Sequence, residues 1–294
     1  MTEATIRPMR PDDVAAAERL SAESFYELDQ RTFQRGWPDP ELRPPSHAGD
    51  WRIRTRHFLE TDPGGCWVAE DDSGMVGMAT SFVRETTWCL ATYAVRPGLQ
   101  ARGIGKQLLA AAMHHGRGCL HGMLAASSDT RAVRRYRLAG FSLHPQMFLT
   151  GTVDRAAIPV IEKVREGTVA DTDLMDSIDR QTRGAAHGPD HRLMQGMWRW
   201  IVSDTRSASG YAYFDGQGRV ALLAATDRRT ATRLLWAALA DAGAGRQVVP
   251  HITAVNEWAV DVGMAARLEL HTEGYLGLRG MKPPAPYVHN GALL

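Results

Sequence analysis

Cysteine is scarce in this sequence: Cys66, Cys89 and Cys119 are the only three among 294 residues, and no two form a CxxC pair. So odd and sparse a set excludes a disulfide framework and a thiolate zinc site, and points to a reducing compartment, the cytoplasm. All three are expected in strand-like apolar runs. Long apolar runs are missing too, since no uninterrupted stretch approaches the roughly 18 residues a membrane helix needs. The opening Met-Thr-Glu-Ala-Thr-Ile-Arg-Pro lacks the basic-then-apolar pattern of a signal segment. Neither sign of charge is in excess. Against 34 basic residues stand 33 acidic ones, a formal net charge of +1, which leaves no broad electrostatic footprint for nucleic acid or an anionic membrane. A metal is not expected either: His187 and His191 lie four apart, but Gly188-Pro189 between them breaks the helix such a pair needs. What remains is an ordinary soluble composition, 44% hydrophobic, in a chain long enough for two domains of about 150 residues each.

The most informative stretch is Tyr93 to Leu109. An apolar run from Trp88 to Val95 reads as a strand, which Pro97-Gly98 terminates. Ile104, Leu108, Leu109 and Ala112 then recur at helical spacing. Between strand and helix stands Gln100-Ala101-Arg102-Gly103-Ile104-Gly105-Lys106. Two glycines at a helix start let backbone approach a ligand closely, and the free N–H groups of a first turn bind anions. Arg96, Arg102 and Lys106 add positive charge, so the turn reads as a pyrophosphate cradle. It is neither a Walker loop nor the dinucleotide G-x-G-x-x-G. Downstream, Asp129-Thr-Arg-Ala132-Val-Arg-Arg-Tyr136-Arg-Leu-Ala-Gly140-Phe141 reads as a capped helix that Gly140 ends. Its arginines, 131 to 137, read as a solvated helix face, with contact of one of them to a ligand phosphate the alternative.

The first turn resembles the Gln/Arg-x-x-Gly-x-Gly/Ala signature of the GNAT N-acetyltransferase superfamily. The second stretch is similar to that family's Asn-x-x-Ala-x-x-x-Tyr-x-x-x-Gly-Phe, with Asp129 where Asn is usual. The resemblance implies that Gln100 to Lys106, with Asp129 and Ala132, hold acetyl-CoA as co-substrate. It also implies that a backbone N–H among Tyr93, Ala94 and Val95 polarises the thioester carbonyl, and that Tyr136 protonates the leaving thiolate. Many relatives carry a Glu on the central strand as base. Here the strand reads Trp88-Cys-Leu-Ala-Thr-Tyr, and Glu23, Glu85, His47 or a water chain stay open for that role. Cys89 reads as a buried strand residue rather than a nucleophile.

In chain order the pattern predicts a strand from Thr5 to Met9, a helix from Val14 to about Leu28, a short helix from Trp51 to Leu59, and a hairpin turning at Asp71-Asp-Ser-Gly74. The central strand, the cradle helix to His115, a strand from Leu120 to Ala126, the motif helix and a last strand pair through Val153 follow. Residues 29–49 lapse into prolines, a segment the family uses to line the acceptor site. Phe25, Tyr26, Trp37 and His47 are the acceptor-site candidates there.

The second half repeats the first. Ser142-Leu-His-Pro-Gln-Met-Phe-Leu149 aligns with Glu269-Leu-His-Thr-Glu-Gly-Tyr-Leu276 at an offset of 127 residues, which maps Asp129 to Asn256 and Ala132 to Ala259. Gly263 stands where the tyrosine is expected, and Ala224-Ala-Thr-Asp-Arg-Arg-Thr goes from strand to helix without a glycine. The expected fold is therefore α/β (α+β), two tandem GNAT-like folds: a CoA-binding domain over 1–153, a linker over 154–163 and a degenerate copy over 164–294. The resemblance implies transfer of acetyl to a small amine-bearing molecule, a metabolite or an antibiotic. An acceptor amine on a protein and a non-catalytic acyl-CoA sensor are the alternatives. The expected assembly is a monomer with pseudo-dimeric halves or a homodimer.

Overall fold

The computed structural model describes residues 4–215, 219–243 and 245–294; residues 1–3, which open the stretch read above for a signal segment, lie outside the described residues. Contacts divide the chain into Met1–Phe141 and Ser142–Leu294.

In the first unit β1 (Thr5–Pro8) leads to α1 (Val14–Thr32) and α2 (Pro45–Thr61). Both helices outrun their expected spans. Pro44 in extended conformation followed by Pro45 at the first helical position starts α2 six residues before Trp51, because proline's fixed φ suits that position. Then come β2 (Cys66–Asp71), β3 (Gly74–Arg84) and β4 (Thr87–Val95), joined antiparallel in the order β1-β2-β3-β4. α3 (Ile104–His115) crosses over to β5 (His121–Ala126), which runs parallel to β4, and α4 (Thr130–Leu138) follows. Phe58 of α2 stacks on Phe82 of β3 with ring centroids 4.9 Å apart, and Leu108 and Leu109 bury the inner face of α3. Cys66 and Cys89 are buried in strands, but Cys119 falls in the turn after α3, not in a strand.

The second unit opens with β6 (Ser142–Gly151) and then retraces the same succession: β7 (Arg165–Glu166), α5 (Thr172–Arg183), α6 (Pro189–Met197), β8 (Arg199–Asp204), β9 (Ser209–Phe214), β10 (Val220–Ala225), α7 (Arg228–Asp241), β11 (Gln247–Thr253), α8 (Glu257–Ala265) and β12 (Glu269–Arg279). β7-β8-β9-β10 are antiparallel neighbours, as β1-β2-β3-β4 are. A short β13 (Tyr287–Val288) is added at the end. The core gathers Phe214, Leu223, Leu234, Leu235, Val249, Ile252 and Trp258.

Two expectations change here. The strand pair placed before Val153 is the single strand β6. And β6 lies with the second unit, antiparallel to β11 on one edge and β12 on the other. Strand ladders, not chain order, set the boundary, so the contact division falls at Phe141 rather than Val153. Among the described residues no helix is long and apolar enough to cross a membrane.

Candidate active site

The site grows from an irregularity in β4. Thr80 of β3 faces Thr92, but the next residue, Ser81, faces Leu90, so Ala91 is an extra residue in β4. Such a bulge bends its strand and sharpens the twist. The parallel ladder to β5 spans only Thr87–Leu90 against His121–Leu124, so from Ala91 onward the β4 edge has no ladder to β5. The register shows which groups that edge presents. Arg96 N–H donates to the Val76 carbonyl at 2.9 Å, and hydrogen-bonded pairs alternate along an antiparallel ladder. Ala94, opposite Met78, therefore aims its N–H at β3, whereas the N–H groups of Tyr93 and Val95 face the open edge. This removes Ala94 from the expected backbone donors.

Beyond Val95 the chain makes a turn that needs left-handed backbone at Gly98 (φ 79°), Ala101 (φ 67°) and Gly103 (φ 91°). Gln100 braces it: its Oε1 accepts from Gly98 N–H at 3.0 Å and its Nε2 donates to the Val95 carbonyl at 3.2 Å. The glutamine thus shapes the turn rather than presenting its amide to a ligand. Arg96 also departs from expectation, because its guanidinium turns back to Ser73 Oγ at 2.9 Å and to the Met75 carbonyl. Arg102 and Lys106 remain exposed beside the turn.

Gly103 is the N-cap of α3 and supplies no side-chain cap, so the first-turn N–H groups of Ile104, Gly105 and Lys106 are left for an outside acceptor. A Cβ at Gly103 would meet nothing within 4 Å, so the approach to the helix end is open. Gly105 is glycine for another reason. A Cβ there would sit 2.2 Å from the Tyr93 hydroxyl. Tyr93 in turn meets the Tyr136 ring edge-on, with centroids 6.2 Å apart. One side chain of β4 thus touches both the helix start and the motif tyrosine.

Tyr136 is buried, 5% exposed. Burial, then the neighbouring Tyr93 and Asp129, push its pKa well above 10. Burial likewise pushes Tyr93 up to about 12. Both phenols therefore hold their protons at neutral pH. Asp129 is the N-cap of α4, with its carboxylate accepting from Arg131 N–H at 2.9 Å and Ala132 N–H at 3.1 Å. It also pairs with Arg31 at the end of α1, at 2.5 Å. Burial opposes ionisation, but the bonds from Arg131 and Ala132 outweigh it and hold the carboxyl below its ordinary value. With both oxygens engaged, Asp129 positions α4, and Ala132 contributes a half-buried methyl and its N–H to the same cap.

The four acceptor candidates are spread over α1, the loop after it and the start of α2. Phe25 is 36% exposed on α1, Tyr26 and Trp37 are half-buried, and His47 is exposed in the first turn of α2. The loop between the helices is pinned by a residue that pattern reading passed over. Arg43 donates to Glu18 at 2.8 Å and to Ser21 at 3.0 Å, and lies 5.5 Å over the Trp51 ring. Only long-range pairing reveals it, as it reveals Arg31. Of the candidate bases, Glu85 sits in the β3–β4 turn, at the opposite end of β4 from the cradle, and Glu23 is exposed on α1. Cys89 is fully buried. A cleft of about 540 Å³ lined by Trp67, His114, His115 and Arg117 lies at the C-terminal end of α3, away from the cradle.

In the second unit Asp179, His187 and His191 do converge, buried, with ligand atoms within 4.8 Å of one another. Their hydrogen bonds assign the protons. Arg183 Nη1 donates to His187 Nε2 at 2.8 Å, so Nδ1 carries the proton and donates to Asp179 at 2.7 Å. Burial presses on His191, but Asp176 and Asp179 outweigh it and raise its pKa to about 9. The Gly188-Pro189 break therefore does not keep the two imidazoles apart, and Asp179 bonds to both, at 2.7 Å and 3.1 Å.

The second copy's own cradle is closed. Only Thr226 and Asp227 separate β10 from α7, and the Asp227 carboxylate caps that helix through Thr230 N–H at 2.7 Å. At Gly263 a Cβ would lie 2.2 Å from Leu149, which takes the room a tyrosine would need.

Comparison with known proteins finds a family match within the first unit. Residues 22–141 match the family model described as "Acetyltransferase (GNAT) family". No curated protein matches. Among solved structures, a candidate acetyltransferase of Pyrococcus horikoshii is similar at 20% identity over 100% of this chain and 96% of its own, with a TM-score of 0.75. A GCN5-related N-acetyltransferase of Sphaerobacter thermophilus shares 16% identity over 98% of both chains, TM-score 0.59. A tandem GNAT protein of the clavulanic acid biosynthesis pathway shares 13% identity over 94% of this chain and 98% of its own, TM-score 0.60.

Proposed function

From a chain whose residues 22–141 form a GNAT-family domain, we propose that this protein transfers an acetyl group from acetyl-CoA to the amine of a small molecule. The observation that carries the reading is the contact of Tyr93 with both Gly105 and Tyr136, which makes an uncapped helix start and a protonated phenol neighbours on one open strand edge. The residues suit the co-substrate. The first turn of α3 offers N–H groups to a pyrophosphate, and Gly103 leaves the approach clear. Acetyl-CoA supplies an acyl group already activated as a thioester. The N–H groups of Tyr93 and Val95 on the free edge of β4 would stabilise negative charge on a carbonyl oxygen. The amine nitrogen bonds to the carbonyl carbon, the carbon–sulfur bond breaks, and the Tyr136 O–H gives its proton to the departing sulfur. The amine gives up its proton to solvent, and solvent returns one to the Tyr136 phenolate, which restores the phenol for the next turnover.

A small acceptor is favoured because Arg43 pins the 33–44 loop back onto α1, which suits an enclosed pocket better than a long peptide track. The test is thiol release from acetyl-CoA across a panel of small amines and amine-bearing peptides. Turnover with a small amine well above the no-acceptor rate is expected. Binding of acetyl-CoA without acceptor-dependent thiol release would refute the catalytic reading.

A further inference from the structure

The second copy contains one strand, β13, for which the first copy's succession has no equivalent. After β12 the chain returns and lays β13 antiparallel along β10, pairing Leu223 with Val288 and Ala224 with Tyr287. Ala225 N–H adds a bond to the Pro286 carbonyl at 3.3 Å. The other edge of β10 is taken by β9. By the order of the repeat β10 corresponds to β4, so β13 lies along the edge that stands open in β4 beyond Ala91.

The motif residue of this copy bonds to the same segment. Asn256 occupies the repeat position of Asp129, but it spends its side chain on the tail. Its Nδ2 donates to the Pro284 carbonyl at 3.0 Å, and its Oδ1 accepts from Tyr287 N–H at 2.9 Å. Thr253 and Trp258 complete its bonds at 3.0 Å each. An amide reads both a carbonyl and an N–H of an extended peptide; the carboxylate of Asp129 could not donate. Farther along, Asn290 Nδ2 donates to the Ala221 carbonyl at 3.0 Å, while its Oδ1 accepts from Ala292 and Leu293 N–H at 2.9 Å. Gln146 donates to His289 Nε2 at 2.6 Å, and the His289 ring stacks on His251 at 4.7 Å. Tyr287, Val288, Leu293 and Leu294 are all buried.

We propose that the second copy's co-substrate groove has become a peptide receptor whose resident ligand is the chain's own segment 284–294. The tail pairs with the strand edge that a co-substrate would use, Asn256 reads its backbone, and the Asp227 carboxylate fills the anion position at the start of α7. Strand addition to a free edge is a common mode of peptide recognition, with main-chain bonds giving affinity and side-chain pockets giving selectivity. Being tethered, the tail is present at an effective concentration on the order of millimolar. This inference rests on the repeat and on the tail's bonds, and it stands or falls separately from the catalytic reading.

Hydrogen exchange on the full chain is the first test. The amides of 223–225 and 287–288 should exchange as slowly as those of β9. Fast exchange there, with β9 still protected, would overturn the proposal. The second test places a site-specific protease sequence in the link 280–283 of the full chain and cuts it under native conditions. The released peptide 284–294 should stay bound through gel filtration at micromolar concentration. Asn256→Ala in the cut protein should weaken retention at least tenfold, and the synthetic peptide should rebind the unmutated protein. Prompt loss of the peptide from unmutated cut protein with unchanged melting and near-ultraviolet spectrum would contradict it. So would displacement by millimolar acetyl-CoA, since the groove would then still prefer its old ligand.

Discussion

Two glycines and two tyrosines concentrate the chemistry of the first unit. Gly103 and Gly105 are indistinguishable in the sequence as parts of one motif, yet they are glycine for different reasons. Gly103 needs φ of 91° beside open space, while Gly105 yields room to the Tyr93 hydroxyl. A motif reveals that a side chain is forbidden, not what would collide with it. Gly103→Val places a β-branched residue in left-handed backbone at the mouth of the anion site. Acetyl-CoA affinity should fall at least tenfold, about 1.4 kcal/mol, with folding retained by circular dichroism. Tyr136→Phe keeps the ring against Tyr93 and removes the proton. Turnover should drop roughly 10²–10⁴-fold with acetyl-CoA affinity nearly unchanged, and wild-type turnover would free this hydroxyl of any limiting role. The pH dependence follows from burial. Because both folded phenols titrate above the ordinary value of 10, the proton-donating form is complete below pH 10 and, for Tyr93, is lost as pH rises toward about 12. The rate profile should therefore show no tyrosine-dependent alkaline limb below pH 10.

At the scale of elements, the strand–turn–helix of the cradle and the motif helix were legible, because glycine, proline and helical spacing are local signals. The bulge at Ala91 was not. It depends on register with β3, and nothing in Leu-Ala-Thr announces an extra residue. The length of α2 was missed because a double proline reads as a breaker, whereas Pro45 at the first helical position starts the helix. The tail strand could not be foreseen either, since two residues of pairing carry no periodicity. Its anchoring makes an acid-sensitive element. Burial, then the neighbouring His251, lower the His289 pKa from 6.5 to about 3. A group depressed in the folded state contributes stability that is complete above 6.5 and is lost as pH falls toward 3. His187 is lowered in the same direction. His191, raised to about 9, has the opposite sign: its contribution is complete below 6.5 and lost as pH climbs through 9. Melting temperature measured by calorimetry should fall on both sides of the neutral region. His289→Phe should lower the plateau yet flatten the limb between pH 6.5 and 4. An acid limb as steep as in the unmutated chain would remove His289 from this account.

Over the whole molecule, the duplication was visible as an offset of 127 residues, and the element orders of the two copies bear out its reach. What sequence order could not show is that β6, the last strand of the first copy by succession, pairs with β11 and β12. Strand partners of this kind are chosen by complementary edges across more than ninety residues, beyond any local pattern. A fragment ending at residue 153 would therefore expose both edges of a ten-residue strand. Its soluble fraction on expression should be small compared with that of the full chain; a soluble, fully active fragment would argue against this dependence. The two copies differ at matching places: one keeps an open strand edge, an uncapped helix start and Tyr136, while the other has its tail, Asp227 and Leu149 there. Titration calorimetry of the full chain with acetyl-CoA tests this most directly. The account predicts one binding event per chain, weakened at least tenfold by Gly103→Val. Two equivalents per chain, or one whose affinity ignores that substitution in a folded protein, would contradict it.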